Sequence, residues 1–206
     1  MQHPVPTAAA PATLTDWMRS RFKSVLDSIG GFAGRLGFSP NAITLLGLAG
    51  ALFGALLLAL GSIRVGGLVI LLSGALDGLD GALARLQGKT SKFGAFLDST
   101  CDRWSELFLF GGLTVYFAVD ADGFGVVLTF AAAVGSVMVS YVKARAEGLG
   151  LECKVGLLTR MERYLVLCPA LLLDLPLWGV GLVALLGNFT ALQRMWHVRN
   201  QTRAGS

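Results

Sequence analysis

Charge is scarce in this chain. Asp, Glu, Lys and Arg make up 15% of its 206 residues, against 54% hydrophobic residues, and mean hydropathy is +0.65. That scarcity excludes an ordinary soluble domain and implies that the solvent is a lipid bilayer. The formal net charge of +4 is modest and gives no basis for a nucleic-acid partner. Cysteine is also scarce. Cys101, Cys153 and Cys168 are unequally spaced and form no CxxC, which argues against a disulfide framework or a thiolate zinc site and leaves reduced packing residues. The first dozen residues are rich in Ala and Pro and lack an apolar core. No cleavable signal peptide is expected there, and residues 1–13 are expected to be disordered. The length suggests one domain.

Long uncharged runs predict an all-α, polytopic membrane protein. Residues 14–37 contain Trp17, Phe22, Val25, Leu26 and Ile29 at helical spacing, with Arg19, Arg21 and Lys23 between them. This predicts an N-terminal amphipathic helix in the membrane interface. Ser39-Pro40 then reads as a helix cap followed by a first-turn proline, opening a 19-residue uncharged run from Ala42 to Leu60. A second run starts at Val65 and passes into Asp77 and Asp80. A third helix starts near Phe93, carries Asp98 and Asp102, and continues to Val119. Phe124 to Val142 is the fourth run. Thr159 and Glu162 form a capping box before a short fifth run, Tyr164 to Leu173. Leu175 to Leu192 is the sixth. The expectation is six transmembrane helices over residues 38–196 and a cytoplasmic tail over 197–206.

Of the 17 Lys and Arg residues, only Arg64 falls on one side of this layout. The other turns on that side carry Asp120, Asp122 and Asp174. The positive-inside rule therefore puts both termini on the cytoplasmic side of the cell membrane, together with the acid-bearing ends of the second and third helices.

Those acids carry the chemistry. Asp77 and Asp80 stand three residues apart, and Asp98 and Asp102 four apart. Each pair therefore shares a helix face. Carboxylates in an apolar chain are costly unless a cation or donor neutralises them. Hard oxygen ligands without His or Cys suit Mg²⁺ or Mn²⁺, with Ca²⁺ as an imitator, rather than zinc. Four acids can hold two divalent ions, an arrangement that serves displacement at phosphorus. Gly81 permits close approach of a ligand, Arg85 can grip a phosphate, and Lys89 and Ser91 add donors. A cation-coupled transporter is the alternative from another class. Against it, the chain has no repeated half-structure, and all four acids crowd one end of their helices.

The run Asp77, Asp80, Gly81, Ala84, Arg85, Gly94, Asp98 and Asp102 matches D-x2-D-G-x2-A-R-x8-G-x3-D-x3-D at every spacing. In this the chain resembles the CDP-alcohol phosphotransferases. The resemblance implies a membrane enzyme, usually homodimeric, in which an alcohol attacks the phosphorus next to a CDP-linked lipid and CMP leaves. It implies metal ligation by Asp77, Asp80 and Asp98, with Asp102 as general base and a shared metal ligand. CDP contacts are implied for Asp80, Gly81, Arg85 and Ser91, and for Asn41 and Thr44 in the NAIT stretch. The segment SYVKARAE, a following Glu-Arg pair and a late Gln-Arg resemble phosphatidylinositol-phosphate synthases of actinobacteria and their archaeal counterparts. From that resemblance, Lys143, Arg145, Arg163 and Arg194, with Arg160, would hold the acceptor's phosphate. The expected reaction joins CDP-diacylglycerol, or an archaeal CDP-dialkylglycerol, to inositol 1-phosphate. Glycerol 3-phosphate is the alternative acceptor, which would make a phosphatidylglycerophosphate synthase.

Overall fold

The computed structural model describes residues 27–204. The expected disorder of residues 1–13 and most of the expected interfacial helix lie outside them. Seven helices follow one another without a strand among the described residues: α1 (27–35), α2 (Pro40–Ala59), α3 (Ile63–Leu86), α4 (Lys92–Val119), α5 (Gly123–Glu147), α6 (Arg160–Leu172) and α7 (Pro176–Ala204).

Local chemistry accounts for most of the helix starts. Ser39 caps α2 by accepting from the Ala42 N–H, with Pro40 in the first turn. Ser91 caps α4 by accepting from the Gly94 N–H at 2.9 Å. Asp122 caps α5 by accepting from the Gly125 N–H at 3.0 Å. The capping box expected at α6 forms differently. Thr159 is the cap residue, but its hydroxyl donates to the Glu162 carboxylate instead of accepting a backbone N–H. A further difference is the extent of α7. The apolar run ends at Leu192, yet the helix continues to Ala204, because no Gly or Pro interrupts Gln193–Arg203.

The helices pack in the pairs α2–α3, α2–α4, α4–α5, α5–α7, α3–α6 and α6–α7. Leu58, Ile70, Leu109, Leu113, Leu171 and Val183 form the centre of the core. The outer faces carry Phe53, Leu72, Phe130, Trp178 and Leu185, all exposed. An apolar exterior over an apolar core is the pattern of a membrane protein. Four helices are long and apolar enough to cross a membrane among the described residues: Pro40–Ala59, Ile63–Leu86, Gly123–Glu147 and Pro176–Arg203. α4 is long enough, but Asp98, Asp102, Arg103 and Glu106 interrupt its apolar run up to its midpoint. With 13 residues, α6 rises only about 20 Å, short of the roughly 30 Å hydrocarbon core.

The glycines of α2 could have served packing within one protomer or between two. They face α3: a Cβ at Gly50 would meet Ser73 Oγ, and one at Gly54 would meet Ile70 Cγ1 at 2.6 Å. On the other side of α2, a Cβ at Gly112 would lie within clashing distance of the Ala55 carbonyl oxygen. Backbone at that distance cannot swing aside, so Gly112 sets the α2–α4 separation. Gly112→Ala is expected to cost about 1–3 kcal/mol through overpacking, read as a lower melting temperature in detergent. An unchanged melting temperature would show that α2 and α4 part without penalty.

Two buried hydroxyls donate within their own helices, Thr129 to Gly125 O at 2.8 Å and Ser73 to Val69 O at 2.7 Å. Asn188 instead links two helices, donating to Ala131 O at 2.9 Å and Ala184 O at 2.7 Å. The three cysteines are buried free thiols, as expected for packing residues. Burial pushes the Cys153 thiol up, which keeps it neutral and unreactive.

Candidate active site

The turn between α3 and α4 brings the acid-bearing halves of the two helices together. Asp77, Asp98 and Asp102 each offer a carboxylate oxygen, and these oxygens lie within 4.8 Å of one another. Glycine makes room for the first of them: a Cβ at Gly47 on α2 would sit 3.3 Å from Asp77 Oδ1. Asp80, nearly one turn further along α3, is buried and accepts a hydrogen bond from the Thr44 hydroxyl. Thr44 also reaches Pro40 O at 3.2 Å. This ties the start of α2 to the acid pair of α3.

The other positions expected to contact the nucleotide gather nearby. A Cβ at Gly94 would lie 3.1 Å from Ser91 Oγ and 3.6 Å from Asn41 Oδ1, so the first turns of α2 and α4 abut. Gly81 leaves an open backbone, with Arg85 Nη1 the nearest group at 3.4 Å from its would-be Cβ. Arg85 is exposed in the last turn of α3.

The five basic residues fall into three settings. Lys143 and Arg145 are exposed on the last turns of α5, and Lys143 lies 3.7 Å from Glu147. A groove of about 590 Å³ between α4 and α5 has Arg103 on one wall and Lys143 on the other. Arg160, at the first turn of α6, reaches into the acid cluster. One arm of its guanidinium binds Asp77, and the other binds Asp102 at 2.6 Å. Its carbon Cζ lies 5.2 Å from the centre of the Tyr164 ring.

Arg163 and Arg194 are buried, with relative exposures of 1% and 4%. Arg163 meets Glu106 in a two-pronged pair, Nε to Oε1 at 2.8 Å and Nη2 to Oε2 at 2.9 Å, and donates to Leu158 O at 3.1 Å. Arg194 donates to Val155 O at 2.8 Å and Val139 O at 2.6 Å. Between them they pin the connection from α5 to α6. The Leu158 N–H adds a bond to Thr190 Oγ1 at 3.1 Å, and Gln201 adds one to Glu152 O at 2.8 Å.

Glu106 had no place among the expected site residues. Its signal was in the spacing: Asp98, Asp102 and Glu106 recur every four residues, one acidic stripe along α4. The donor set suits a hard divalent cation. Three carboxylates from two helices already share a space of ligand dimensions, with two guanidiniums against them: Arg160 on Asp77 and Asp102, and Arg103 Nη1 at 3.5 Å from Asp102 Oδ2.

Residues 38–199 match the CDP-alcohol phosphatidyltransferase family. The chain is 36% identical over 189 residues to the archaetidylinositol phosphate synthase of Pyrococcus horikoshii, covering 91% of this chain and 98% of that one. It is 40% identical over 181 residues to the phosphatidylinositol phosphate synthase of Mycolicibacterium smegmatis, covering 82% of each. Among solved structures it resembles Mycobacterium tuberculosis phosphatidylinositol phosphate synthase with CDP-DAG bound. The TM-score is 0.79, at 32% identity, covering 85% of this chain and 94% of that one. The same enzyme in complex with manganese and citrate gives a TM-score of 0.80, at 33% identity, covering 84% and 88%. Matched in sequence over most of its length, and in fold over much the same span, the chain belongs to the CDP-alcohol phosphatidyltransferase family.

Proposed function

We propose that this enzyme transfers the phosphatidyl group of CDP-diacylglycerol to inositol 1-phosphate, yielding a phosphatidylinositol phosphate and CMP. The observation that carries the chemistry is the convergence of Asp77, Asp98 and Asp102 within 4.8 Å, beside the guanidiniums of Arg160 and Arg103. The choice of acceptor draws on the names of the relatives, which are synthases of inositol-phosphate lipids. A phosphorylated acceptor also suits the exposed cations Lys143 and Arg145 on the last turns of α5.

In this reading Asp102 accepts the proton of the attacking inositol hydroxyl. The hydroxyl oxygen bonds to the phosphorus that carries the diacylglycerol. The bond from that phosphorus to CMP breaks, and CMP leaves with the electron pair. Asp77, Asp80, Asp98 and Asp102 would hold Mg²⁺ or Mn²⁺, which supplies neutralisation of the diphosphate and the departing CMP. Thr44 orients Asp80. Asn41, Gly81, Arg85 and Ser91 line the approach of the CDP moiety. Lys143 and Arg145 attract the acceptor's phosphate, and Arg163 and Arg194 shape the wall behind it. The buried pairing of those two arginines supports a shaping role ahead of direct contact.

The same reading gives the chain six membrane crossings, with α4 packed on α2 and α5, and α6 on α3 and α7, beside the four more apolar helices. Exposed Trp104, Val115, Leu165 and Leu172 support contact of both with lipid. The basic residues at the α3–α4 and α5–α6 ends support a cytoplasmic active site and cytoplasmic termini. α1 lies in the interface, which exposed Ile29 and Phe32 on it and exposed Leu36 just after it support. A homodimer is the proposed assembly, on family resemblance.

The test is CMP release by detergent-purified protein with Mg²⁺ and CDP-diacylglycerol. Turnover is expected with inositol 1-phosphate, none with free inositol, and complete loss on adding EDTA with recovery on Mn²⁺. Preference for glycerol 3-phosphate would overturn the acceptor and leave the acid centre standing. Turnover that survives EDTA would overturn the metal assignment.

A further inference from the structure

Arg160 and Arg163 lie three residues apart at the start of α6 and are held very differently. Arg163 is buried to 1% exposure, and Glu106 and Leu158 O take its donors on both edges of the guanidinium. Arg160 sits at the rim, its side chain 23% exposed. Its two arms bind acids from two helices, Asp77 on α3 and Asp102 on α4. Its Nε is buried without an acceptor. The side chain rests beside the Tyr164 ring, a face on which a guanidinium can turn without losing its contact.

Arg160 thus covers carboxylates on both helices, Asp77 and Asp102, while Arg103 Nη1 lies 3.5 Å from the far oxygen of Asp102 and does not reach across to α3. A guanidinium and a divalent ion cannot both draw on the same carboxylate oxygens, and at such separations in a site shielded from water they repel strongly. We propose that Arg160 is a resident counter-cation that competes with the divalent metal for Asp77 and Asp102, and that metal loading turns its guanidinium outward to receive the acceptor's phosphate. The second half rests on the function proposed above. The unused Nε suits the outward position, because a phosphate takes the Nε and Nη donors of one edge of the fork together. The consequence is an order of binding: metal first, then acceptor. Because such coupling is reciprocal, the acceptor must tighten metal binding by the same factor that metal tightens acceptor binding.

The test needs no turnover. Mn²⁺ and inositol 1-phosphate are titrated calorimetrically into the full-length protein, without CDP-lipid, for the native chain and for Arg160→Gln. In the native protein, saturating Mn²⁺ is expected to raise affinity for inositol 1-phosphate at least tenfold. Arg160→Gln is expected to bind Mn²⁺ about tenfold more tightly than native and to lose the coupling. Should Arg160→Gln fail to fold, Arg160→Lys carries the test. One ammonium covers one acid less well than the fork covers two, so Mn²⁺ affinity is still expected to rise severalfold. Unchanged or weaker Mn²⁺ binding in the variant, with normal acceptor binding in the native protein, would overturn the competition alone. Tighter Mn²⁺ binding in the variant, with no inositol 1-phosphate binding by the native protein under any condition, would overturn the acceptor half and the proposed acceptor with it.

Discussion

Asp102→Asn is expected to cut CMP release about 10³-fold or more while the protein stays folded. General-base catalysis alone contributes roughly 10²–10⁴-fold, and Asp102 is also one of the three converging carboxylates. The amide has nearly the same shape, so packing around α4 should hold. Its chemistry does not survive: it cannot take the proton of the attacking hydroxyl, and its NH₂ would face the Arg160 arm that now lies 2.6 Å from Asp102 Oδ1. The check pairs a CMP-release assay with a melting curve in detergent. Loss of release with a native-like melting temperature is the expected pair. Release at the native rate would remove Asp102 from the mechanism.

Glu106→Ala is expected to produce the largest loss of stability of any single change in the acidic stripe. Glu106 and Arg163 are 4% and 1% exposed and joined by two parallel hydrogen bonds. Deleting the acid leaves a guanidinium with nowhere to discharge, and breaking a buried pair in this way typically costs about 3–5 kcal/mol. The damage should spread along one path. Arg163 also holds Leu158 O, so the α5–α6 connection loosens and the first turn of α6, which carries Arg160, moves with it. Removing both charges in Glu106→Leu with Arg163→Leu should cost less than Glu106→Ala, since no buried charge is then stranded. Thermal unfolding of the two variants decides the matter. Equal or greater destabilisation in the double variant would mean that the pair contributes more than mutual neutralisation.

The acid centre was legible because its information is local. Asp77 with Asp80 and Asp98 with Asp102 fall on single helix faces, and the short turn after α3 leaves few ways to arrange two such faces. The start of α2 was legible for the same reason: Ser39 caps it within three residues of itself. The partners of long side chains were not legible. Arg163 finds Glu106 57 positions away, Arg160 finds Asp77 83 positions away, and Arg194 takes two carbonyls from distant segments. A basic residue near a membrane surface reads alike in sequence whether it anchors to lipid, binds substrate or neutralises a buried acid. The end of α7 was missed because hydropathy reports where lipid ends, whereas the helix stops only where its backbone pattern fails.

The central claim is a phosphatidyl transfer to a phosphorylated alcohol. It is tested most directly by ³¹P NMR of the lipid made from CDP-diacylglycerol and inositol 1-phosphate in the presence of Mg²⁺. The expected product shows one phosphodiester and one phosphomonoester resonance in equal intensity, with one CMP formed per lipid. Phosphatidic acid and CMP alone would mean that water is the acceptor. A lipid with a phosphodiester and no monoester would mean that the second phosphate is never retained, and either result would contradict the proposed reaction.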